Sequence, residues 1–344
     1  MSGPARQRER ALGALYGLAI GDALGMPTEA MPRAAIVTRF GPLVSRFEPA
    51  PPDNRLAAGL PAGTVTDDTE QAMLLARLLI EGDGAFAAAE FASLLVAWES
   101  DVRARGSLSL LGPSTKRAIA ALLDGVPPGE TGRSGTTNGA AMRIAPVGVA
   151  TPAADLDLLV DRVVAASHVT HNTSVALAGA AGVAAAVSAG IDGADPPGAI
   201  RLAVAAAERA AARGHWVAAA DVAARITWAT GRTSGLDPAG AIDVIYRLVG
   251  TSLATQESVP AAFAVLAASP ADPWLACQIA ASLGGDCDTI AAMTGAIAGA
   301  CHGVGAFPAS AREVIDQVND LGLAAAADGL LAVRARDAAG RPAR

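Results

Sequence analysis

The 344-residue chain has few aromatic residues, few charged residues and only three cysteines. Aromatic side chains make up 3% of the sequence, so a folded core must consist mainly of Ala, Val, Leu and Ile. Such a core buries little area per residue and needs closely packed elements to compensate. Cys277, Cys287 and Cys301 form no Cys-x-x-Cys pair. Their spacing therefore argues against a disulfide framework or a zinc site and predicts a reducing, cytoplasmic location.

Charged residues account for 17% of the chain, below the roughly 25% that is usual for soluble domains. The formal net charge of −7 argues against a nucleic-acid partner, which would require a face rich in Lys and Arg. Arg6, Arg8 and Arg10 precede a helical pattern rather than a signal-peptide cleavage site. No membrane partner is expected either, because the Ala- and Gly-rich runs fall short of about 18 strongly apolar residues.

Apolar residues recur at helical spacing through most of the sequence, and no stretch alternates with the period of a β-strand. The pattern predicts an all-α fold, with one compact multi-helix domain over residues 1–335 and a flexible tail over 336–344. The glycine pairs Gly179/Gly182 and Gly295/Gly299 are expected to lie where helices approach closely, since a glycine inside a helix costs roughly 1 kcal/mol relative to Ala. Helices are predicted over residues 10–24, 70–80, 86–103, 114–124, 155–167, 173–189, 198–213, 217–229, 238–249, 259–267, 272–282, 289–300, 309–319 and 322–333.

Two short segments place acidic residues at the beginnings of predicted helices. The first is Thr64–Gln71, with the sequence TVTDDTEQ, and the second is Gly284–Thr289, with the sequence GGDCDT. Either segment alone could be an ordinary helix cap, which stabilises a helix by about 1 kcal/mol. If the two segments meet in space, however, their four carboxylates would repel one another strongly unless cations lay between them. All-oxygen ligands favour magnesium or manganese over zinc, and two such ions about 3.5–4 Å apart could share these ligands.

These two segments resemble the metal-binding motifs of the ADP-ribosylglycohydrolase family. Four further segments match the motifs of that family in the same order, so the resemblance covers nearly the whole chain. They are Gly17–Gly25 with Thr28 and Glu29, Thr136–Pro146 with its Asn-Gly-x-x-Met-Arg sequence, Ser167–Asn172, and Cys301–Gly303.

The resemblance implies an all-α hydrolase with two Mg²⁺ ions, or Mn²⁺, bound in a cleft. Glu29 or Asp68 is implied as the general base, while Cys287 stands where many family members have Thr. Arg143 is expected to form either a phosphate contact or an inward-facing ion pair. Asp22 is expected to support the site structurally. The implied metal ligands are Thr66, Asp67, Asp68, Asp286, Asp288 and Thr289. The implied substrate-binding residues are Gly135, Thr136, Asn138, Gly139 and His171.

The sequence departs from this family at one place. In several arginine-specific relatives an acidic residue opens a segment resembling Asp-Ile-Gly, and the stretch that corresponds here is Leu110–Thr115. The expected substrate is therefore an ADP-ribosylated protein or a small ADP-ribose derivative, with an N-ribosidase acting on nucleosides as the alternative. A third alternative is a non-catalytic role, because the family includes lens crystallins.

Overall fold

The computed structural model describes residues 3–105 and 111–339, which form a helical domain. Within these ranges there is no β-strand, and only three isolated β-bridges occur. The predicted all-α fold is confirmed. The α-helices are Gly3–Gly25 (α1), Arg33–Phe40 (α2), Asp67–Glu81 (α3), Ala88–Ala104 (α4), Pro113–Leu123 (α5), Pro128–Thr131 (α6), Gly139–Met142 (α7), Ala145–Ala150 (α8), Leu156–Ser167 (α9), Ser174–Ile191 (α10), Pro196–Ala211 (α11), Val222–Thr233 (α12), Pro238–Val244 (α13), Thr255–Ala268 (α14), Pro273–Ala281 (α15), Cys287–His302 (α16), Ala309–Val318 (α17) and Leu323–Ala339 (α18).

Each of the fourteen helices predicted from the sequence has a counterpart here, and the differences lie at the ends and in short elements. The helix predicted from residue 217 begins at Val222, because Asp221 caps it by accepting a hydrogen bond from the backbone N–H of Ala224. The last helix continues past residue 335 to Ala339. Residues 340–344 lie outside the described part of the chain, so the flexible tail stays a prediction. Helices α2, α6, α7 and α8 were not predicted.

Helix α10 is the central helix of the core. All of its residues except Ser174 are buried, and its neighbours include α8, α9, α11 and α16. The run was predicted to be too short to cross a membrane, but α10 has 18 residues and is apolar enough to do so by length and composition. In the fold, 94% of that window is buried by the rest of the chain, as is usual for a core helix.

Helices α1 and α16 pack together more closely than any side chain larger than hydrogen would allow at their contact points. A Cβ atom added to Gly17 would lie 2.0 Å from the carbonyl oxygen of Gly295, and one added to Gly13 would lie 2.2 Å from that of Gly299. Gly21 contacts Ala291 in the same way. We call this line of contacts the glycine seam. The expectation that Gly295 and Gly299 mark a close helix contact is confirmed, and the partner is α1.

Candidate metal centre and cleft

The glycine seam brings the C-terminal end of α1 to the beginning of α16, where the second acidic motif lies. A Cβ atom on Gly25 would approach within 2.3 Å of the Cα atom of Asp288. Asp22, one turn earlier in α1, is completely buried. It accepts hydrogen bonds from the backbone N–H groups and the hydroxyls of both Thr66 and Thr69. Asp22 therefore holds the beginning of α3, with the first acidic motif, beside that of α16.

These contacts also orient the Thr66 hydroxyl. Its single proton has two possible acceptors, Asp22 Oδ1 at 2.8 Å and Asp68 Oδ2 at 3.2 Å. The shorter contact assigns the proton to Asp22, so the lone pairs of Thr66 Oγ1 remain available to a cation. The structural role expected for Asp22 is thus supported by geometry. Thr69, which the sequence did not single out, has the same role on the other oxygen of Asp22.

Glu29 reaches the two acidic motifs through a local backbone contact. Residues 30 and 31 form an isolated antiparallel bridge with Gly285, through hydrogen bonds of 2.8 and 2.9 Å. Ala30 has a φ of 58°, a conformation that non-glycine residues adopt rarely and mostly where the fold requires it. Gly285 has a φ of 79°, and a Cβ atom there would lie 2.3 Å from the carbonyl oxygen of Thr251. The glycine at position 285 therefore allows these backbone segments to approach closely.

A cluster of three carboxylates results, and it could bind a metal ion. One carboxylate oxygen from each of Glu29, Asp286 and Asp288 lies within 4.8 Å of the others. Glu29 Oε2, Asp288 Oδ1 and the nearby Asp68 Oδ1 are buried and have no hydrogen-bond partner among the described residues. Buried carboxylate oxygens without a partner are costly, and a hard divalent cation satisfies them. The oxygen-only donor set therefore fits Mg²⁺ or Mn²⁺ better than softer metals.

The charges in the metal-free cluster also favour the binding of divalent cations. Burial, and then the charges of neighbouring carboxylates led by Asp288, raise the pKa values of Glu29 and Asp68 well above their usual range. Burial followed by the charge of Asp286 raises the pKa of Asp288 in the same way. Burial raises the pKa of Asp22 to about 6 and the pKa of Asp286 to about 6, although the hydrogen bonds that these groups accept act to lower both values. Bound cations would relieve this repulsion.

The carboxylates line one side of a cleft of about 460 Å³. Asp67 and Thr289, from the two acidic motifs, also line it, and so do Asn138 and Gly139. Apolar and polar side chains share the rest of the wall. The apolar ones are Leu56, Leu111, Pro113, Met142 and Leu253, and the polar ones are Thr115, Lys116 and Thr137.

The substrate-binding residues implied by the resemblance divide into two groups. Asn138 lines the cleft and donates from Nδ2 to Asp286 Oδ2 and to Ser258 Oγ. Gly135, Thr136 and His171 are not among the described residues that line it. Gly135 packs on the backbone of Thr170, and the carbonyl of Thr136 accepts from Thr255. His171 is fully buried behind Thr137, which does line the cleft and was not singled out from the sequence.

Arg143 and Cys287 are both buried, and neither is among the described residues that line the cleft. Arg143 is 1% exposed and faces inward, where it lies among Gln71, Thr170 and Phe91. Among the described residues it forms neither of the two expected interactions, a phosphate contact in the cleft or an ion pair. Cys287 is buried, and burial raises the pKa of its thiol far above the usual range. Its sulfur accepts a hydrogen bond from the backbone N–H of Gly284 at 3.0 Å and so supports the turn before Asp286. All three cysteines are free, as predicted.

The raised pKa values predict how the stability of the metal-free protein depends on pH. A carboxyl group whose pKa is higher in the folded state than in the unfolded state favours folding at low pH. That contribution is lost as the pH rises through the folded-state value. For Asp22 and Asp286 this value is about 6, and for Glu29, Asp68 and Asp288 the pKa is raised well above the usual range of a carboxyl group.

We therefore expect the melting temperature of EDTA-treated protein to fall between about pH 5 and pH 8, and the stabilisation by Mg²⁺ to grow over the same interval. Thermal melts with EDTA and with Mg²⁺ at each pH measure both effects. A melting temperature that rises with pH in EDTA would contradict the electrostatic description of the cluster.

Comparisons with known proteins give matches over nearly the whole chain. A sequence model of the ADP-ribosylglycohydrolase family matches residues 3–339. The chain is 38% identical over 314 residues to the Escherichia coli (strain K12) protein named "Uncharacterized protein YegU", covering 91% of this chain and 93% of that protein. It is 34% identical over 180 residues to the ADP-ribosyl-[dinitrogen reductase] glycohydrolase of Rhodospirillum rubrum, covering 50% and 54% of the two chains.

A solved structure described as an ADP-ribosylglycohydrolase-related protein complex superposes with a TM-score of 0.69 at 25% identity. The superposition covers 96% of this chain and 99% of that one. The family model and this superposition span the two acidic motifs, the Asn138 loop and the segment that carries Glu29. Through its sequence and its fold, the chain belongs to the ADP-ribosylglycohydrolase family.

Proposed function

We propose that the protein is a metal-dependent hydrolase that cleaves the glycosidic bond at the anomeric carbon of ribose in ADP-ribosylated substrates. The observation that carries this proposal is the set of partnerless buried oxygens on Glu29, Asp68 and Asp288, beside a cleft large enough for a small molecule. Family membership supplies the substrate class. Two Mg²⁺ ions, or Mn²⁺, are the cofactors proposed.

The chain's own residues have distinct parts in this proposal. Thr66, Asp67, Asp68, Asp286, Asp288 and Thr289 would hold the cations. When bound, the cations would supply Lewis-acid polarisation of a water molecule and of the ribose hydroxyls.

Glu29 has the environment of a general base. Its carboxylate lines the cleft, and burial together with the neighbouring carboxylates raises its pKa above the usual range, which favours its acceptance of a proton. In the proposed reaction a water oxygen forms a bond to the anomeric carbon, and its proton passes to Glu29. The bond from that carbon to the leaving group breaks, and the leaving group takes up the proton that Glu29 received, either directly or through a water molecule. The carboxylates around the cleft would favour the positive charge that develops on the sugar.

A second candidate function is an N-ribosidase acting on nucleosides or related small metabolites. The observation that favours it is one segment of the cleft wall, where the buried Leu111 and its neighbours Gly112 and Pro113 contribute no acidic side chain. In the arginine-specific relatives an acidic residue begins this segment. The corresponding Leu110 lies outside the described residues. An apolar wall suits a nucleobase better than a guanidinium leaving group.

A hydrolysis assay distinguishes the candidates. The protein would be given ADP-ribosyl-arginine, ADP-ribosyl-serine and a panel of ribonucleosides, with Mg²⁺ or with EDTA, and Asp286→Asn would serve as the inactive control. Release of ADP-ribose that is lost with EDTA and in the variant supports the first function and identifies the linkage. Turnover of nucleosides alone supports the second function. No turnover of any substrate, in protein that binds metal, would favour a non-catalytic role.

A further inference from the structure

Arg143 is a buried cation whose two terminal nitrogens donate to neutral groups. NH1 donates to Gln71 Oε1 at 2.9 Å and NH2 donates to Thr170 Oγ1 at 2.6 Å. The guanidinium carbon lies 4.9 Å from the centre of the Phe91 ring. Burial lowers the pKa of Arg143 to about 10, so the group remains charged at neutral pH. Because a guanidinium only donates hydrogen bonds, the atoms of Gln71 and Thr170 that face it must be acceptors.

The first arm of this network leads to the carboxylate side of the cleft. Gln71 must present its amide oxygen to Arg143, which leaves its nitrogen to donate to Asp67 Oδ2 at 3.2 Å. Asp67 lines the cleft and belongs to the first acidic motif. Arg143 thus has an indirect contact with one of the proposed metal ligands.

The second arm leads to His171 and assigns its tautomer. Thr170 Oγ1 accepts from Arg143, so its own proton must go to another group. Its alternatives are His171 Nδ1 at 2.8 Å and the carbonyl oxygen of Ser167 at 3.4 Å. The shorter contact assigns the proton to Nδ1, which is then an acceptor. Burial, followed by the charge of Arg143, lowers the pKa of His171 well below its usual range and keeps the ring neutral. A neutral ring with Nδ1 as acceptor carries its proton on Nε2.

The Nε2–H group continues the network to the cleft. It lies 2.9 Å from Thr137 Oγ1 and donates to it. Gly139 packs against the same imidazole, since a Cβ atom there would lie 3.0 Å from His171 Cε1. The hydroxyl of Thr137 accepts from His171, and no hydrogen bond donated by it is found among the described residues. Thr137 lines the cleft, so its proton is available there.

We propose that the Thr137 hydroxyl donates a hydrogen bond to an acceptor oxygen of the substrate, and that Arg143 acts as a positioning residue that enforces this direction through Thr170 and His171. The acceptor is a phosphate or carbonyl oxygen. The proposal rests on the proposed function only in placing the substrate in this cleft. It adds Thr137 to the site, on the loop that carries Asn138 and not on the segments that carry the carboxylates.

The first test is spectroscopic and needs no substrate. Nitrogen-15 NMR of the imidazole reports which ring nitrogen of His171 carries the proton. We expect a neutral ring protonated on Nε2 across about pH 5–8. In Thr170→Val the hydroxyl that donates to Nδ1 is absent, and the Nε2 resonance should shift toward the other tautomer. A ring in the unaltered protein that is protonated on Nδ1, or on both nitrogens, would overturn the proposal.

The second test is equilibrium binding of two probes, ADP-ribose and the nucleoside inosine, in the presence of Mg²⁺. Thr137→Val should weaken binding of whichever probe the unaltered protein binds by about tenfold or more, because a directed hydrogen bond to a substrate oxygen is lost. Thr137→Ser should recover most of the affinity, since it restores the hydroxyl. Thr38→Val, an exposed position on α2, is the matched control and should bind as the unaltered protein does.

The outcomes separate this proposal from the proposed function. Binding of inosine but not ADP-ribose would count against ADP-ribosylated substrates, and the Thr137 comparison would then be made with inosine. If the unaltered protein binds ADP-ribose and Thr137→Val weakens that binding, the acceptor is identified as a phosphate oxygen. If Thr137→Val binds its probe as tightly as the unaltered protein does, the proposal is wrong whichever probe is bound.

Discussion

The Asp288→Asn variant is expected to lose its response to divalent cations and, when free of metal, to be more stable than the unaltered protein. Asp288 is 2% exposed, one of its oxygens has no partner, and neighbouring carboxylates repel its charge. An amide of the same shape removes that charge from beside Asp68 and Asp286. The same change removes a proposed metal ligand. The two effects therefore have opposite signs, which a simple packing defect would not produce.

The magnitudes are large enough to measure by thermal melts. A cation at 100 times its Kd stabilises the folded state by about 2.7 kcal/mol, which corresponds to several degrees in a protein of this size. That increase should be absent in Asp288→Asn. Turnover should also fall by about 100-fold or more, since metal ions contribute several kcal/mol to such reactions.

The matched control is Asp243→Asn, which changes the net charge equally. Asp243 is exposed and forms an ion pair with Arg247, which lies one helical turn later at a distance of 3.3 Å. Its replacement should leave both the metal response and the metal-free stability within about 0.5 kcal/mol of the original. If Mg²⁺ raised the melting temperature of Asp288→Asn as much as that of Asp243→Asn, Asp288 would not be a metal ligand.

The Gly17→Ala variant is expected to destabilise the fold by more than about 3 kcal/mol, or to prevent folding altogether. The added methyl group would lie 2.0 Å from the carbonyl oxygen of Gly295, and the atoms on both sides belong to helix backbones. Relief requires α1 and α16 to separate along the glycine seam. Separation at Gly17 would also move Asp22 and Asp288, so metal binding should weaken in any protein that folds.

Gly182→Ala is the matched comparison, because Gly182 lies inside the buried helix α10. The nearest atom to its added methyl group is a carbonyl oxygen at 3.5 Å, an ordinary contact. Alanine has the higher helix propensity, so this variant should be neutral or up to about 1 kcal/mol more stable. Denaturant unfolding of both variants measures the difference. Equal stability of the two variants would contradict the close contact of α1 and α16 along the glycine seam.

Much of the fold could be predicted from the sequence because the evidence for helices is local. Helical periodicity and cap residues lie within a few positions of one another, and the fourteen predicted helices reflect this. Helix α2 escaped prediction because only Ile36 in it is buried, so it shows no clear apolar face. Helices α6, α7 and α8 have only four to six residues each, too few for a periodic pattern.

The acidic motifs could also be predicted, but their surroundings could not. Two pairs of aspartates at helix N-termini are visible in the sequence, and family resemblance indicated that they meet. The position of Glu29 depends on the bridge with Gly285, which joins segments more than 250 residues apart and has no local pattern. Likewise, the sequence indicated a substrate loop around Asn138 but not that Thr137 faces the cleft while His171 lies behind it.

The glycine seam has a consequence for how the protein is made. Its two helices come from opposite ends of the chain, so α1 leaves the ribosome long before α16 exists. At about 5–20 residues per second, the delay is on the order of tens of seconds. During that time the face of α1 that packs on α16 has no partner, although Thr66 and Thr69, the hydrogen-bond partners of Asp22, have already been made. The glycine seam, and with it the junction of the two acidic motifs, can therefore form only after most of the chain has been synthesised.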